Sequence, residues 1–176
     1  MPKIIENVRD QLLDEAAKQM EELDYSQITV RSVASACGLG LGTVYNYFKS
    51  KEMLIATVIF RDWKKYLEIM RGLPNNDPEA LFGGIFKALR DFADEKQKIF
   101  SDPNAAKLIS ASSSMRHKML RDQIAAFILP LCKSENVAYP EFTSEFISES
   151  LICWSMENRN YSDVYPQLLK LIKNKI

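Results

Sequence analysis

The sequence is short of the residues on which much specialised chemistry depends. Its 176 residues include one histidine, His117, and three cysteines, Cys37, Cys132 and Cys153. An odd number of cysteines without Cys-x-x-Cys spacing argues against a disulfide framework and against a zinc site, and predicts buried, reduced thiols. The lone histidine lies between Arg116 and Lys118 and reads as a solvated surface group, which leaves little room for a catalytic triad. No glycine-rich phosphate loop follows a strand, and no paired Cys or His has metal-ligand spacing, so neither an enzyme nor a bound cofactor is expected. Long apolar runs are also missing. MLIATVIF and IAAFILPL are the longest, and both fall far short of the roughly 20 residues that span a bilayer. No basic start followed by an apolar stretch marks a secretion signal. The expectation is a soluble, cytoplasmic protein with no membrane partner.

Net charge is absent as well, with 23 basic and 23 acidic side chains. Taken alone, that balance counts against nucleic acid, whose partners usually carry a basic footprint. The distribution of the charges points the other way. Residues 1–24 hold Lys3, Arg9 and Lys18 against seven acids, whereas residues 25–51 hold Arg31, Lys49 and Lys51 and no acid. A local positive patch is set inside a neutral chain.

What the chain does have is helical periodicity almost throughout; no segment alternates with period two long enough to be a strand. With 47% hydrophobic and 26% charged residues, it is an ordinary globular composition, and we expect an all-α protein of about nine helices. Ile5, Val8, Leu12, Ala16 and Met20 form the stripe of a first helix, backed by an acidic face. Thr29 is a natural cap for a short second helix to about Cys37, broken by Gly38, and a third runs from about Leu41 to Phe48. Ser50 caps a long fourth helix from Lys51 to Arg71, with Leu54, Val58, Trp63, Leu67 and Met70 on its apolar face. The tract GLPNNDP ends it, and Asp77-Pro78 restarts a helix, as Asp102-Pro103 does later. The SASSS run at 110–114 reads as a helix junction. Further helices are predicted over about 142–156 and 162–175. The domain boundaries expected are a head at 1–50 and a second domain at 51–176. Gly83-Gly84 inside a helix costs about 1 kcal/mol per residue and signals close backbone approach or a cavity.

The decisive segment is ITVRSVASACGLGLGTVYNYFKSKEML, residues 28–54. Val33, Ala34, Cys37, Leu39, Val44 and Phe48 make an inward set of the kind needed by two short helices crossing at a glycine turn. Leu41, Gly42, Thr43, Tyr45, Asn46 and Tyr47 remain outside. A helix presenting small, hydroxyl and amide groups, flanked by Arg31, Lys49 and Lys51, suits a major groove lined with phosphates. The run YNYFKSK resembles the end of the recognition helix in tetracycline-repressor-type (TetR) regulators, and the likeness covers about residues 8–60. Gly40 departs from it, standing where the family usually has a Ser or Thr cap, and Asn46 replaces a common His.

The resemblance implies a three-helix DNA-binding head, a C-terminal ligand-binding and dimerisation domain, and repression at a palindromic operator on double-stranded DNA. It puts Thr29, Tyr45, Tyr47 and Lys51 on phosphates and Arg31, Leu41, Gly42, Thr43 and Asn46 at or near base edges. It also implies that a small apolar or aromatic effector lies among Trp63, Tyr66, Phe86, Phe92, Met119 and Phe127. Homodimerisation is expected through the last two helices, with Leu151, Trp154, Leu168, Leu171 and Ile172 as apolar surface. The competing reading is a helical ligand-binding or enzymatic bundle whose head docks protein instead of DNA.

Overall fold

The computed structural model describes residues 7–105, 113–157 and 159–173, and the described residues are helical with no strand. Ile5, residues 110–112 of the SASSS run and residues 174–175 of the expected last helix lie outside them. The helices are α1 (Val8–Glu22), α2 (Val30–Ala36), α3 (Leu41–Tyr47), α4 (Lys51–Arg71), α5 (Pro78–Glu95), α6 (Gln97–Phe100), α7 (Ser113–Ser134), α8 (Pro140–Met156) and α9 (Tyr161–Lys173); residues 103–105 open a further helical turn.

The start signals work through identifiable hydrogen bonds. Ser50 Oγ accepts from Met53 N at 3.2 Å, Asp77 Oδ1 from Glu79 N at 3.0 Å, and Asp102 Oδ1 from Asn104 N at 2.8 Å. Each oxygen takes up an amide that has no partner within its own helix.

The chain forms two compact units, residues 1–64 with 95–111, and residues 65–94 with 112–176. The first is built around Leu12, Leu13, Ala16, Ile28, Val33, Val44, Phe48, Leu54 and Val58, all at most 1% exposed. Its core also takes in Ile99 and Ala105. In the second unit Phe82 and Ile85 of α5, Ile124 and Ile128 of α7, Ile147 and Leu151 of α8, and Val164 and Leu168 of α9 are fully buried.

The glycine pair of α5 serves close approach. A Cβ on Gly84 would lie 2.7 Å from Leu73 Cδ1, and one on Gly83 would lie 3.1 Å from the Tyr161 ring. Both positions are where neighbouring side chains seat directly against the α5 backbone. On α8 the packed face carries Ser144, Ser148 and Ser155, each at most 3% exposed. Their hydroxyls donate to carbonyls of their own helix, Ser148 to Ser144 O at 2.7 Å for example, so small residues are buried without stranding a donor. The thiol expectation needs one correction: Cys132 is buried, but Cys37 and Cys153 are only half-buried, because each lies at the edge of its helix's packed face. Burial pushes the Cys132 thiol up to about 11.

Candidate nucleic-acid interface

Three local devices set the geometry of α2 and α3. Thr29 Oγ1 accepts from Ser32 N at 2.8 Å, and Thr29 N donates back to Ser32 Oγ at 3.0 Å, closing a reciprocal cap. Ser32 Oγ also donates to Gln19 Oε1 at 2.7 Å, so α1 holds the start of α2 through a buried amide. Gln19 is a residue positioning α2 that sequence reasoning passed over. The signal was there: seven residues after Leu12 and three after Ala16, it is a polar side chain on an apolar stripe. The second device is Gly38, at φ 65°, with Leu39 N donating to Ala34 O at 2.9 Å; a left-handed residue ends α2 and turns the chain toward α3. The third is the underside of α3, where Val44 is 0% and Phe48 1% exposed. With that face sealed, Tyr45 (43%) and Tyr47 (42%) must project outward, and Asn46 with them.

Thr29, Arg31 and Gly42 are also exposed, while Thr43 and Leu41 are half-buried. Thr29 Oγ1 is engaged as an acceptor, which leaves its proton free to donate to an anionic oxygen. Leu41 packs against the head core, so less of it is available for a thymine methyl than an outward helix position suggests. Gly40 caps α3 without a side-chain hydrogen bond, and nothing lies within 4 Å of a Cβ built on Gly42.

Lys51 is engaged within the unit itself. Its ammonium lies 3.6 Å from the centre of the Tyr25 ring and donates to the Tyr25 carbonyl. A lysine held by an aromatic face and a carbonyl fastens the α1–α2 turn to α4, and it would have to leave both to reach a phosphate. Desolvation lowers its pKa, with Glu52 and Asp102 opposing the shift. Tyr25 OH is 3.5 Å from Glu52 Oε1, and burial together with that carboxylate pushes the phenol up to about 12. The exposed cations of the reading face are Arg31 and Lys49, with Lys49 Nζ donating to Tyr45 O at 3.3 Å.

Residues 12–58 match the family model described as bacterial regulatory proteins, tetR family. That segment, the helix-turn-helix and its flanks, is therefore similar to the tetR-family head. The transcriptional repressor KstR2 of Mycolicibacterium smegmatis is 39% identical over 87 residues, covering 46% of this chain and 42% of that protein. KstR2 of Mycobacterium tuberculosis is 30% identical over 108 residues, covering 54% of each. The match thus spans about half the length of these curated relatives. Among solved structures, the tetR-family repressor AlkX from a Dietzia strain superposes with a TM-score of 0.60 at 16% identity, covering 95% of this chain and 98% of that one. A tetR-family regulator from Streptomyces coelicolor gives 0.61 at 18% identity, covering 92% and 78%. At such identities the likeness beyond the head is one of fold.

The candidate effector residues fall in both units. Trp63 belongs to the first unit and the others to the second. Tyr66 and Phe92 meet edge to face at 5.4 Å, Phe86 packs on Tyr161 at 5.5 Å, and Met119 is 42% exposed. Only Phe127 lines the small recess of about 130 Å³ shared with Met70, Leu73, Leu81 and Pro130.

The expected dimer surface also needs correction. Leu151 (0%), Leu168 (0%) and Ile172 (2%) are inside the second unit, because α8 and α9 turn these positions toward their own chain. Trp154 is half-buried beneath Arg159 and Leu171 is exposed. The large apolar groups left outside on α8 are Phe142 (70%), Phe146 (50%) and Met156 (61%), with the two Phe rings stacked 6.3 Å apart. The expectation came from the resemblance, which does not fix which face of this helix is packed; here serines share the packed face with Ile147, Leu151 and Ile152.

Proposed function

We propose that the chain is a cytoplasmic transcription repressor that reads a palindromic DNA operator as a homodimer and is released by a small apolar or aromatic effector. The observation that carries the reading is the α3 face: Tyr45, Asn46 and Tyr47 outward over a sealed underside, in a segment of tetR-family pattern. Thr29 and Tyr47 are suited to phosphate oxygens; Arg31 can take a bidentate guanine contact, and Asn46 an adenine edge. One head reads few bases, so a two-fold dimer and two half-sites about one helical turn, or a multiple, apart supply the remaining specificity. The exposed Phe142, Phe146 and Met156, joined by Trp154 and Leu171, give the apolar surface for that contact. The repressors among its relatives support the sense of regulation.

Effector binding follows from the second unit's apolar packing. A recess of about 130 Å³ is well below the roughly 300–1,000 Å³ of ordinary ligand sites, so an effector enters by widening it, and that change is the lever on DNA affinity. No helix among the described residues is long and apolar enough to cross a membrane. The experiment is selection of bound sequences from a random duplex pool, then titration at rising salt. A palindromic site whose affinity falls steeply with salt supports the reading; no enrichment, or salt-independent retention, refutes it.

A further inference from the structure

The first unit contains a segment that does not belong to its contiguous sequence. Residues 95–105 return to it after α5 and are fastened there at four points. Ile99 (1%) and Ala105 (0%) enter the same core as Val44 and Phe48, the residues beneath the reading helix. Lys96 Nζ lies 2.6 Å from Asp62 Oδ2 on α4, and the two side chains are only 4% and 5% exposed. Arg61 extends the charge chain, its Nε 3.6 Å from Asp62 Oδ1 and its Nη1 2.6 Å from Asp14 of α1. Lys98 Nζ donates to Glu21 O at 2.6 Å and to Glu22 O at 3.4 Å, the last carbonyls of α1.

Burying two charges is expensive, and an apolar pair of similar volume generally holds a fold at least as well. What a buried pair adds is direction: Lys96 Nζ also lies 3.6 Å from Glu95 Oε2, but that carboxylate travels with the segment itself, so Asp62 is the partner that ties the segment to α4, whereas Ile99 alone tolerates several seats. Lys98 fixes the same segment at the end of α1, immediately before the turn that carries Tyr25.

We propose that Asp62, Lys96 and Lys98 form a latch that fixes residues 95–105 in a single seat within the DNA-reading unit, making all three positioning residues for operator binding. None of them touches DNA in this scheme. The inference rests on the DNA-binding reading above, and its test separates the two. Asp62→Leu with Lys96→Met removes both buried charges together, avoiding the stranded charge of either single change; Lys98→Met removes only the α1 cap from an exposed side chain. Each is compared with the parent on the site the parent selects, and by backbone hydrogen exchange.

For the double variant we expect a folded protein, faster exchange across 95–105, and at least a tenfold loss of operator affinity with an unchanged salt slope, since no phosphate contact is lost. For Lys98→Met we expect faster exchange around 21–25 and a loss of about threefold or more. Parent-like affinity and parent-like exchange in both variants would overturn the latch. A reduced salt slope would overturn it too, by showing that the lysines meet phosphate. If the parent selects no DNA site, the functional reading falls, and exchange alone decides the seating: unchanged rates across 95–105 refute it.

Discussion

Gly42 gives stability and binding opposite signs, which makes Gly42→Ala a sharp test of the interface. It lies in the first turn of α3 with nothing within 4 Å of its would-be Cβ, and its φ is not in the left-handed region. The methyl therefore meets no obstacle in the free protein. Replacing Gly by Ala in a helix is worth up to about 1 kcal/mol, less at a helix start, through the smaller backbone entropy lost on folding. In a chain of this length that raises the melting transition by at most about 2–4 °C. On DNA the same methyl stands where α3 is proposed to approach base edges. An extra methyl forced into a close-packed contact costs about 1–3 kcal/mol, a loss of about 5–150-fold in affinity. The assay is thermal melting of free protein beside titration of the selected operator at one fixed salt concentration. A stabilised variant with full operator affinity would show that α3 does not lie against the bases, and the docking proposed here would be wrong.

Arg31→Ala should weaken operator binding by about 1–3 kcal/mol and relax one base position per half-site; unchanged sequence preference in a repeat selection would exclude the base contact. Lys51→Ala, because Lys51 holds Tyr25, should lower the melting temperature while leaving the salt slope of DNA binding intact, and a slope reduced by about one would instead restore it as a phosphate contact. Gly84→Ala should destabilise by about 1–3 kcal/mol despite its better helix propensity, since the new methyl meets Leu73; a stabilised variant contradicts the close approach. Phe142→Glu with Phe146→Glu should shift the protein to monomer in sedimentation at micromolar concentration, and an unchanged dimer would place the contact elsewhere. Tyr25, held neutral by burial and raised to about 12, contributes stability fully present below its ordinary pKa near 10 and lost as pH climbs from about 10 to 12. Tyr25→Phe should flatten the melting profile across that window, and an identical pH slope in the variant would refute the assignment.

Most of the head was legible because its determinants are local. Thr29 and Ser50 announce helix starts with oxygens that accept from amides three residues on, as Asp77 does in the second unit, and Gly38 announces a left-handed turn. The inward set read from the sequence was Val33, Ala34, Cys37, Leu39, Val44 and Phe48, of which Cys37 and Leu39 are half-buried against the core and the others buried. The illegible features depend on partners distant in sequence. Lys51 reads as an exposed basic residue, and only the fold brings Tyr25 beneath it; Lys96 and Asp62 are 34 residues apart and look like ordinary surface charges. On α8 apolar residues lie on both faces, Ile147, Leu151 and Ile152 inward and Phe142 and Phe146 outward, so composition does not show which face packs; the buried serines bond their own backbone and cost no stranded donor. The glycine pair of α5 left two explanations standing, and Leu73 and Tyr161 decide for close approach.

The length of the reading helix bears on how regulation can reach it. α3 has seven residues, far fewer than the 12–15 at which an isolated helix becomes even marginal in water, and its cap is a glycine without a side-chain bond. Its conformation is therefore imposed by what lies beneath, through Val44 and Phe48. That core is assembled from α1, α2, α4 and the returning segment with Ile99, so it contains residues on both sides of α5 in sequence. A weak helix on a composite core is sensitive to any loosening of the pieces below it, and about 1.4 kcal/mol lost from the competent arrangement already lowers apparent DNA affinity when that arrangement ceases to dominate. The effector proposed above would then need no contact with α3: it would have only to favour a second-unit packing that draws on α5, which runs on in sequence into the segment anchored by Lys96.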